Sequence, residues 1–165
     1  MTYHYTMCGL DYIYLKNGYR RQETEYGAGV SIERAHSLDR SIAVSVLTSF
    51  ARLRGQEVRF MRSLVDFSQT DLAVHLGVKR ITVARWEAAP KTPIPGPADR
   101  AFRVLAASKL FDAEWAISLL DMFAEIADEK PSPIYMTFKG HGEDSEPLLS
   151  EEPAKEEDWT PAQAA

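Results

Sequence analysis

Ser68-Gln69-Thr70-Asp71-Leu72-Ala73-Val74-His75-Leu76-Gly77-Val78-Lys79-Arg80-Ile81-Thr82-Val83-Ala84-Arg85-Trp86-Glu87 is the stretch that decides the reading of this 165-residue chain. Ser68 stands where a helix N-cap belongs, and Gly77 suits the left-handed turn that closes a short helix over 69–76. A second helix is predicted over 79–88. Leu72, Ala73, Leu76, Val78, Val83 and Trp86 form the inward set, and the small Ala73 lets the two helices approach closely. Lys79, Arg80, Ile81, Thr82 and Arg85 are left pointing outward. That basic strip at helical spacing is the surface that a helix in a DNA major groove requires.

Helical periodicity continues on both sides. Upstream, Val58, Met61 and Leu64 mark the inner face of a helix over 56–65. Downstream, Pro90, Pro93, Pro95 and Pro97 hold a stretch without helix, and Gly96-Pro97 starts a fourth helix reaching about Leu110. Asp112 caps a fifth, in which Trp115, Leu119, Met122, Phe123 and Ile126 form an apolar stripe that Ile117 and Leu120 widen. The stripe is the candidate dimer surface; the alternative is an intramolecular cover over the fourth helix and the helix around 38–53. In that last helix, Leu38, Ile42, Val46, Phe50 and Leu53 lie close to one face.

The N-terminal part reads as β-structure. Tyr12–Lys16 is aromatic and β-branched, Asn17-Gly18 is the strongest short hairpin signal, and Tyr19–Tyr26 follows as the return strand. Val30-Ser31-Ile32 adds a short extended piece. After Pro131 only Ile134–Phe138 looks structured, as a lone strand, and 139–165 reads as a flexible tail whose removal leaves the fold intact. Four regions are expected: a β-rich unit at 1–36, a connecting helix at 37–54, a helical domain at 55–130 and an acidic, largely disordered tail at 131–165.

The formal net charge of −5 conceals an uneven distribution. Residues 128–165 hold ten acids against three bases, a net −7, and the remaining chain is +2. Residues 55–105 hold eight bases against five acids, a local +3. The acidity therefore belongs to the tail and says little about what the body binds. No apolar run approaches the roughly 18 residues of a transmembrane helix. Nothing at the N-terminus resembles a secretory signal, so a cytoplasmic protein without membrane contact is expected. Cys8 is the single cysteine, which excludes an internal disulfide. Cys8 with His4 or His36 lacks a third group to form a nucleophile–base set, so no catalytic residue, cofactor or enzymatic activity is expected.

The pattern S-Q-x-x-L-A-x-x-L-G-V followed by T-V-x-R-W-E resembles the helix-turn-helix of the Xre/phage-repressor family, over residues 56–110. The resemblance implies a mainly α fold, with the small β-hairpin unit ahead of a five-helix lambda-repressor-like domain. The order of β-rich unit, connecting helix and Xre-type domain is also similar, over roughly 1–130, to the MqsA (YgiT-type) antitoxins. Those hold zinc with N-terminal cysteine pairs. Here Cys8 and His4 are too few for a tetrahedral site, and no metal is expected.

The resemblance implies base contacts from Arg80 and Arg85, each able to pair with a guanine edge. Ile81 would meet a thymine methyl, its alternative being packing against helix 69–76. For Arg85 the alternative is a solvated surface arginine. Lys79 and Thr82 are candidate phosphate contacts, with Lys91 in the proline-rich loop as a further one. Gln69 matches a family glutamine that contacts the DNA backbone and braces the base-reading side chains; a capping role beside Ser68 is the alternative, and the two are compatible. Arg62 and Glu87 match an internal ion pair. Trp86 is expected in the core and His75 on the surface. The function implied is a sequence-specific double-stranded DNA-binding regulator, a repressor, acting as a homodimer on a palindromic operator. The alternative is an antitoxin that binds a small protein toxin through the N-terminal unit and autoregulates its operon.

Overall fold

The structure, a computed structural model, describes residues 1–139 and 158–162. It is mainly helical, with a small sheet built from both ends of the chain. Strands β1 (Tyr3–His4), β2 (Ile13–Leu15), β3 (Tyr19–Thr24) and β4 (Gly27–Ile32) precede helix α1 (Ala35–Leu47). Helices α2 (Gly55–Leu64), α3 (Gln69–Leu76), α4 (Arg80–Ala88), α5 (Gly96–Leu110) and α6 (Ala113–Ser118) follow, and a 3₁₀ segment runs over Leu119–Glu125. Strands β5 (Ile134–Phe138) and β6 (Trp159–Ala162) complete the described chain.

The sheet corrects two expectations. Asn17-Gly18 does not close a hairpin between the strands that flank it. β2 instead lies between β1, antiparallel, and β5, parallel, while β3 pairs with β4 in a separate ribbon turning at Glu25-Tyr26. Gly18, at φ 72°, carries the chain from one sheet to the other. The Asn17 side chain reaches β5, where Nδ2 donates to the Phe138 carbonyl at 3.0 Å and Oδ1 accepts from the Phe138 N–H at 2.7 Å. A Cβ on Gly18 would stand 2.5 Å from Trp159 and 2.7 Å from Phe138, so this position needs glycine for both its angle and its space.

The second correction concerns 131–165. Ile134–Phe138 is no lone strand: it is an inner strand, with β6 antiparallel on its other side. Trp159 of β6 is only 2% exposed, packs on Phe138, and donates from its indole N–H to the Glu33 carbonyl at 2.9 Å. Ser41 of α1 donates to the Trp159 carbonyl at 3.1 Å. Removing 139–165 would therefore uncover α1 and β5 rather than leave the fold intact. The acidic residues between 140 and 157 lie outside the described residues.

One continuous apolar core joins sheet to helices: Leu10, Ile13 and Leu15 from the N-terminal unit, Leu38 and Ile42 from α1, and Met61, Leu72, Val83 and Phe102 from the other helices. Local signals set the helix ends. Ser68 accepts from the Asp71 N–H at 3.0 Å while Asp71 accepts from the Ser68 N–H at 2.8 Å, a capping box. The Ser68 bonds hold the Asp71 carboxyl below the usual carboxylate range. Gly77, at φ 68°, closes α3, and Asp112 caps α6 through the Trp115 N–H. The N-terminus of α2 lies directly under the end of α4: a Cβ on Gly55 would fall 1.9 Å from the Trp86 carbonyl oxygen.

α1 ends earlier than its apolar spacing predicts. Phe50 lies beyond it and is largely exposed, whereas Leu53 is buried in an extended segment. The cause is Arg103 of α5, whose side chain is wholly buried. Its guanidinium donates to the carbonyls of Leu47 at 2.9 Å, Ser49 at 2.7 Å and Ala51 at 2.7 Å. Asp99, also wholly buried, accepts from Arg103 Nε at 3.0 Å and from the Leu53 N–H at 2.6 Å. This pair satisfies the polar groups freed where the chain leaves α1.

Candidate nucleic-acid interface

α3 and α4 pack through Leu72, Ala73 and Val83, which are buried, with Leu76, Val78 and Trp86 half-buried against the same core. The turn between them is fixed by Gly77 and by the Val78 N–H donating to the Ala73 carbonyl at 3.0 Å. Lys79 precedes α4 in extended conformation, so that the first turn of α4 projects Arg80 and Ile81 into solvent. Ile81 is 47% exposed; Lys79, Arg80 and Arg85 are exposed and Thr82 is half-buried. His75 is exposed on α3, where its Nδ1 meets the Asp71 carbonyl and its ring stacks on Phe67.

A chain of polar contacts runs from the interior to this strip. The Glu87 carboxylate accepts from Arg62 Nε at 2.5 Å and from Arg62 Nη2 at 3.1 Å, a two-pronged ion pair. Arg62 Nη1 also donates to the Phe67 carbonyl at 2.7 Å. Gln69 Nε2 donates to the same carboxylate at 3.1 Å, which orients the Gln69 amide with its oxygen outward. That oxygen accepts from Arg80 Nη1 at 2.9 Å. Glu87 and Arg62 are largely shielded, Gln69 is intermediate and Arg80 is exposed. An exposed guanidinium is thus anchored by a shielded ion pair through one amide, which removes rotamer freedom that a surface arginine otherwise keeps. The cap of α3 is made by Ser68, and the Gln69 amide bridges Glu87 and Arg80.

Two expected contacts are placed elsewhere. Lys91 is paired with Asp11 of the N-terminal unit, so it faces that unit and does not extend the basic strip. Asp11 also accepts from Gln56 Nε2 at 2.9 Å. These contacts, that of Lys91 foremost, hold the Asp11 carboxyl below its ordinary value. The apolar stripe on 115–126 faces its own chain. Leu119 is 4% exposed, and Trp115, Met122 and Phe123 pack against the core, with Ile126 half-buried where the 3₁₀ segment ends. α6 tightens to 3₁₀ winding at Leu119, and three residues per turn stack Leu119 and Met122 on the inner side. Ile117 and Leu120 are left outward.

The charge count of this region changes accordingly. Of the eight bases in 55–105, Arg103 is buried, Arg62 is held by Glu87 and Lys91 by Asp11. Arg100 donates to the Phe123 carbonyl at 3.0 Å. Lys79, Arg80 and Arg85 form the outward basic strip, and Arg59 is exposed on α2.

Two buried polar groups carry no recognisable signal of their burial in the sequence. One is Arg103–Asp99, whose only local sign is a four-residue spacing on a helix. The other joins the N-terminal unit to α2: the Tyr12 hydroxyl donates to Glu57 Oε1 at 3.0 Å, and Arg54 Nη2 donates to the same oxygen at 2.9 Å. Burial, reinforced by Glu57, raises the Tyr12 pKa and keeps the phenol a donor. Burial also pushes the Cys8 thiol up to about 11, so it is protonated at neutral pH. Among the described residues, no group of three or more His, Cys, Asp or Glu side chains could hold a metal ion, and no helix is long and apolar enough to cross a membrane.

Comparison of the chain with protein-family models, with curated proteins and with solved structures finds no match in any of the three.

Proposed function

We propose that this chain is a sequence-specific double-stranded DNA-binding regulator that lays α4 in the major groove and represses transcription by occupying its operator. The observation that carries this reading is the relay from the shielded Arg62–Glu87 pair through Gln69 to exposed Arg80, next to Lys79, Ile81, Thr82 and Arg85. A braced arginine at the start of a protruding helix suits bidentate pairing with guanine O6 and N7, where geometry as well as charge decides the base. Arg85, near the end of the same helix, would read a second base, and Ile81 would meet a thymine methyl. Lys79 and Thr82 would hold phosphates and set register without reading sequence. A helix of this length covers only a few base pairs, so specificity calls for two copies on a palindrome with half-sites roughly 34 Å apart.

The test is selection of bound sites from a random duplex library, followed by affinity measurement for variants. Arg85→Ala is expected to cost roughly 1–3 kcal/mol on the selected site and to relax preference at one position. Unchanged affinity and unchanged preference would remove α4 from the groove.

A further inference from the structure

We propose that the β3–β4 ribbon is a self-association surface, through which two copies of this chain pair β3 against β3 about a two-fold axis at Gln22. The ribbon stands apart from the main sheet, and among the described residues neither of its outer edges is paired. From Arg20 to Ala28 every residue is exposed. A two-stranded ribbon alone in water is marginally stable, and an open edge is a template for another strand.

The edge of β3 selects its partner by charge. Thr24 and Gly27 close the two-residue loop as a hydrogen-bonded pair. Alternation then turns the backbone N–H and C=O of Tyr19, Arg21 and Glu23 away from β4, toward an incoming strand. Two-fold antiparallel pairing centred on Gln22 sets Arg21 of each copy directly opposite Glu23 of the other, as hydrogen-bonded residue pairs with side chains on one face. Centring on Arg21 sets two arginines opposite each other, and centring on Glu23 sets two glutamates. An edge guarded against its own copy would carry one sign of charge; this one carries both signs, spaced to match themselves. Neither Arg21 nor Glu23 has an ion pair among the described residues. The product is a four-stranded sheet in the order β4-β3-β3-β4 across the two copies, an isologous and closed contact.

This inference supplies the two-fold partner that the DNA-binding reading calls for, and rests on that reading only for the purpose of the dimer. The measurement is the mass of the full chain by sedimentation, without DNA, over a concentration series. The wild type is expected as a dimer of two 18.6 kDa chains. Arg21→Glu and Glu23→Arg each place like charges opposite one another twice per dimer, and each should weaken association about tenfold or more. The Arg21→Glu/Glu23→Arg double variant should restore it. Both substituted side chains are exposed, and circular dichroism should show an unchanged fold in all three variants. A wild type that stays monomeric, a dimer indifferent to the single reversals, or a double variant no tighter than the singles would each overturn the proposal. Loss of DNA binding in α4 variants that remain dimeric would concern the other reading alone.

Discussion

Arg103 and Arg62 make the same kind of bond, a guanidinium to a carboxylate, on different helices of the body. Around Arg103 every partner is internal: Asp99 on one side, the carbonyls of the last residue of α1 and of Ser49 and Ala51 just past it on the other, with neither side chain reaching solvent. Around Arg62 the network is open. Glu87 passes the contact to Gln69, and Gln69 passes it to Arg80, which is exposed. The difference lies in where the last donor ends. A closed network fixes the path of the chain; an open one holds a surface group in a chosen direction. A closed network should therefore be read out in stability alone, and an open one in both stability and binding.

The largest effect is expected from Arg103→Met, which fits the volume but strips buried Asp99 of its main partner, leaving it the Leu53 N–H at 2.6 Å and a looser contact to Arg100 at 3.7 Å. Breaking one side of such a pair typically costs about 3–5 kcal/mol, and the carbonyls of Leu47, Ser49 and Ala51 lose their donor as well. Denaturant unfolding should show that loss. DNA affinity, measured where the variant is still folded, should be unchanged. A drop below about 1 kcal/mol would mean that water or a rearranged loop replaces the guanidinium. Glu87→Gln tests the open network at its root. It should lower stability by about 2 kcal/mol, since hydrogen bonds to a charged group are at stake and Arg62 retains some access to water. It should also weaken specific DNA binding, because Gln69 loses its anchor. Lost stability with intact binding would separate Arg80 from the ion pair.

Much of this architecture is legible in the chain because its signals are local. Ser68, Gly77, Pro97 and Asp112 mark helix ends within a turn of where they act. The inward and outward sets of α3 and α4 follow from helical spacing alone. What is not legible depends on distant partners. Asn17-Gly18 has the chemistry of any turn with positive φ, and only Phe138 and Trp159 make it a corner between sheets. Trp159–Ala162 sits in linker-like composition and becomes a strand because β5 offers it an edge. Trp115 to Ile126 is apolar on one face whatever covers it, and periodicity carries no information about the cover. Asp99 and Arg103 stand four residues apart on one helix, a spacing that carries no sign of burial until the end of α1 encloses them.

A smaller effect sharpens the open network at its outer end. Arg80→Ala should change stability by less than about 0.5 kcal/mol, as surface substitutions do, while costing roughly 1–3 kcal/mol in specific binding. Gln69→Ala should weaken binding by less than this, because Arg80 keeps its charge and loses only its brace. In the double variant the two losses should fail to add, with a coupling of roughly 1 kcal/mol. Strict additivity would show that Gln69 acts on DNA directly and not through Arg80.

The smallest effect belongs to Lys91–Asp11, which extends the comparison to a pair in solvent, with Lys91 66% and Asp11 42% exposed. Asp11 is held below its ordinary value, by Lys91 first and Gln56 next. A carboxyl with a lowered folded pKa stabilises the fold fully above its unfolded pKa, near 4, and that contribution disappears as pH falls through the folded value. Asp11→Asn should therefore unfold slightly more easily than the wild type at neutral pH, by roughly 0.5 kcal/mol or less. The two stability curves should converge as the pH drops below about 4, and added salt should narrow the gap at neutral pH. An offset that persists unchanged in acid and in high salt would show that Asp11 acts through packing. The pair would then belong with Arg103 and not with the surface.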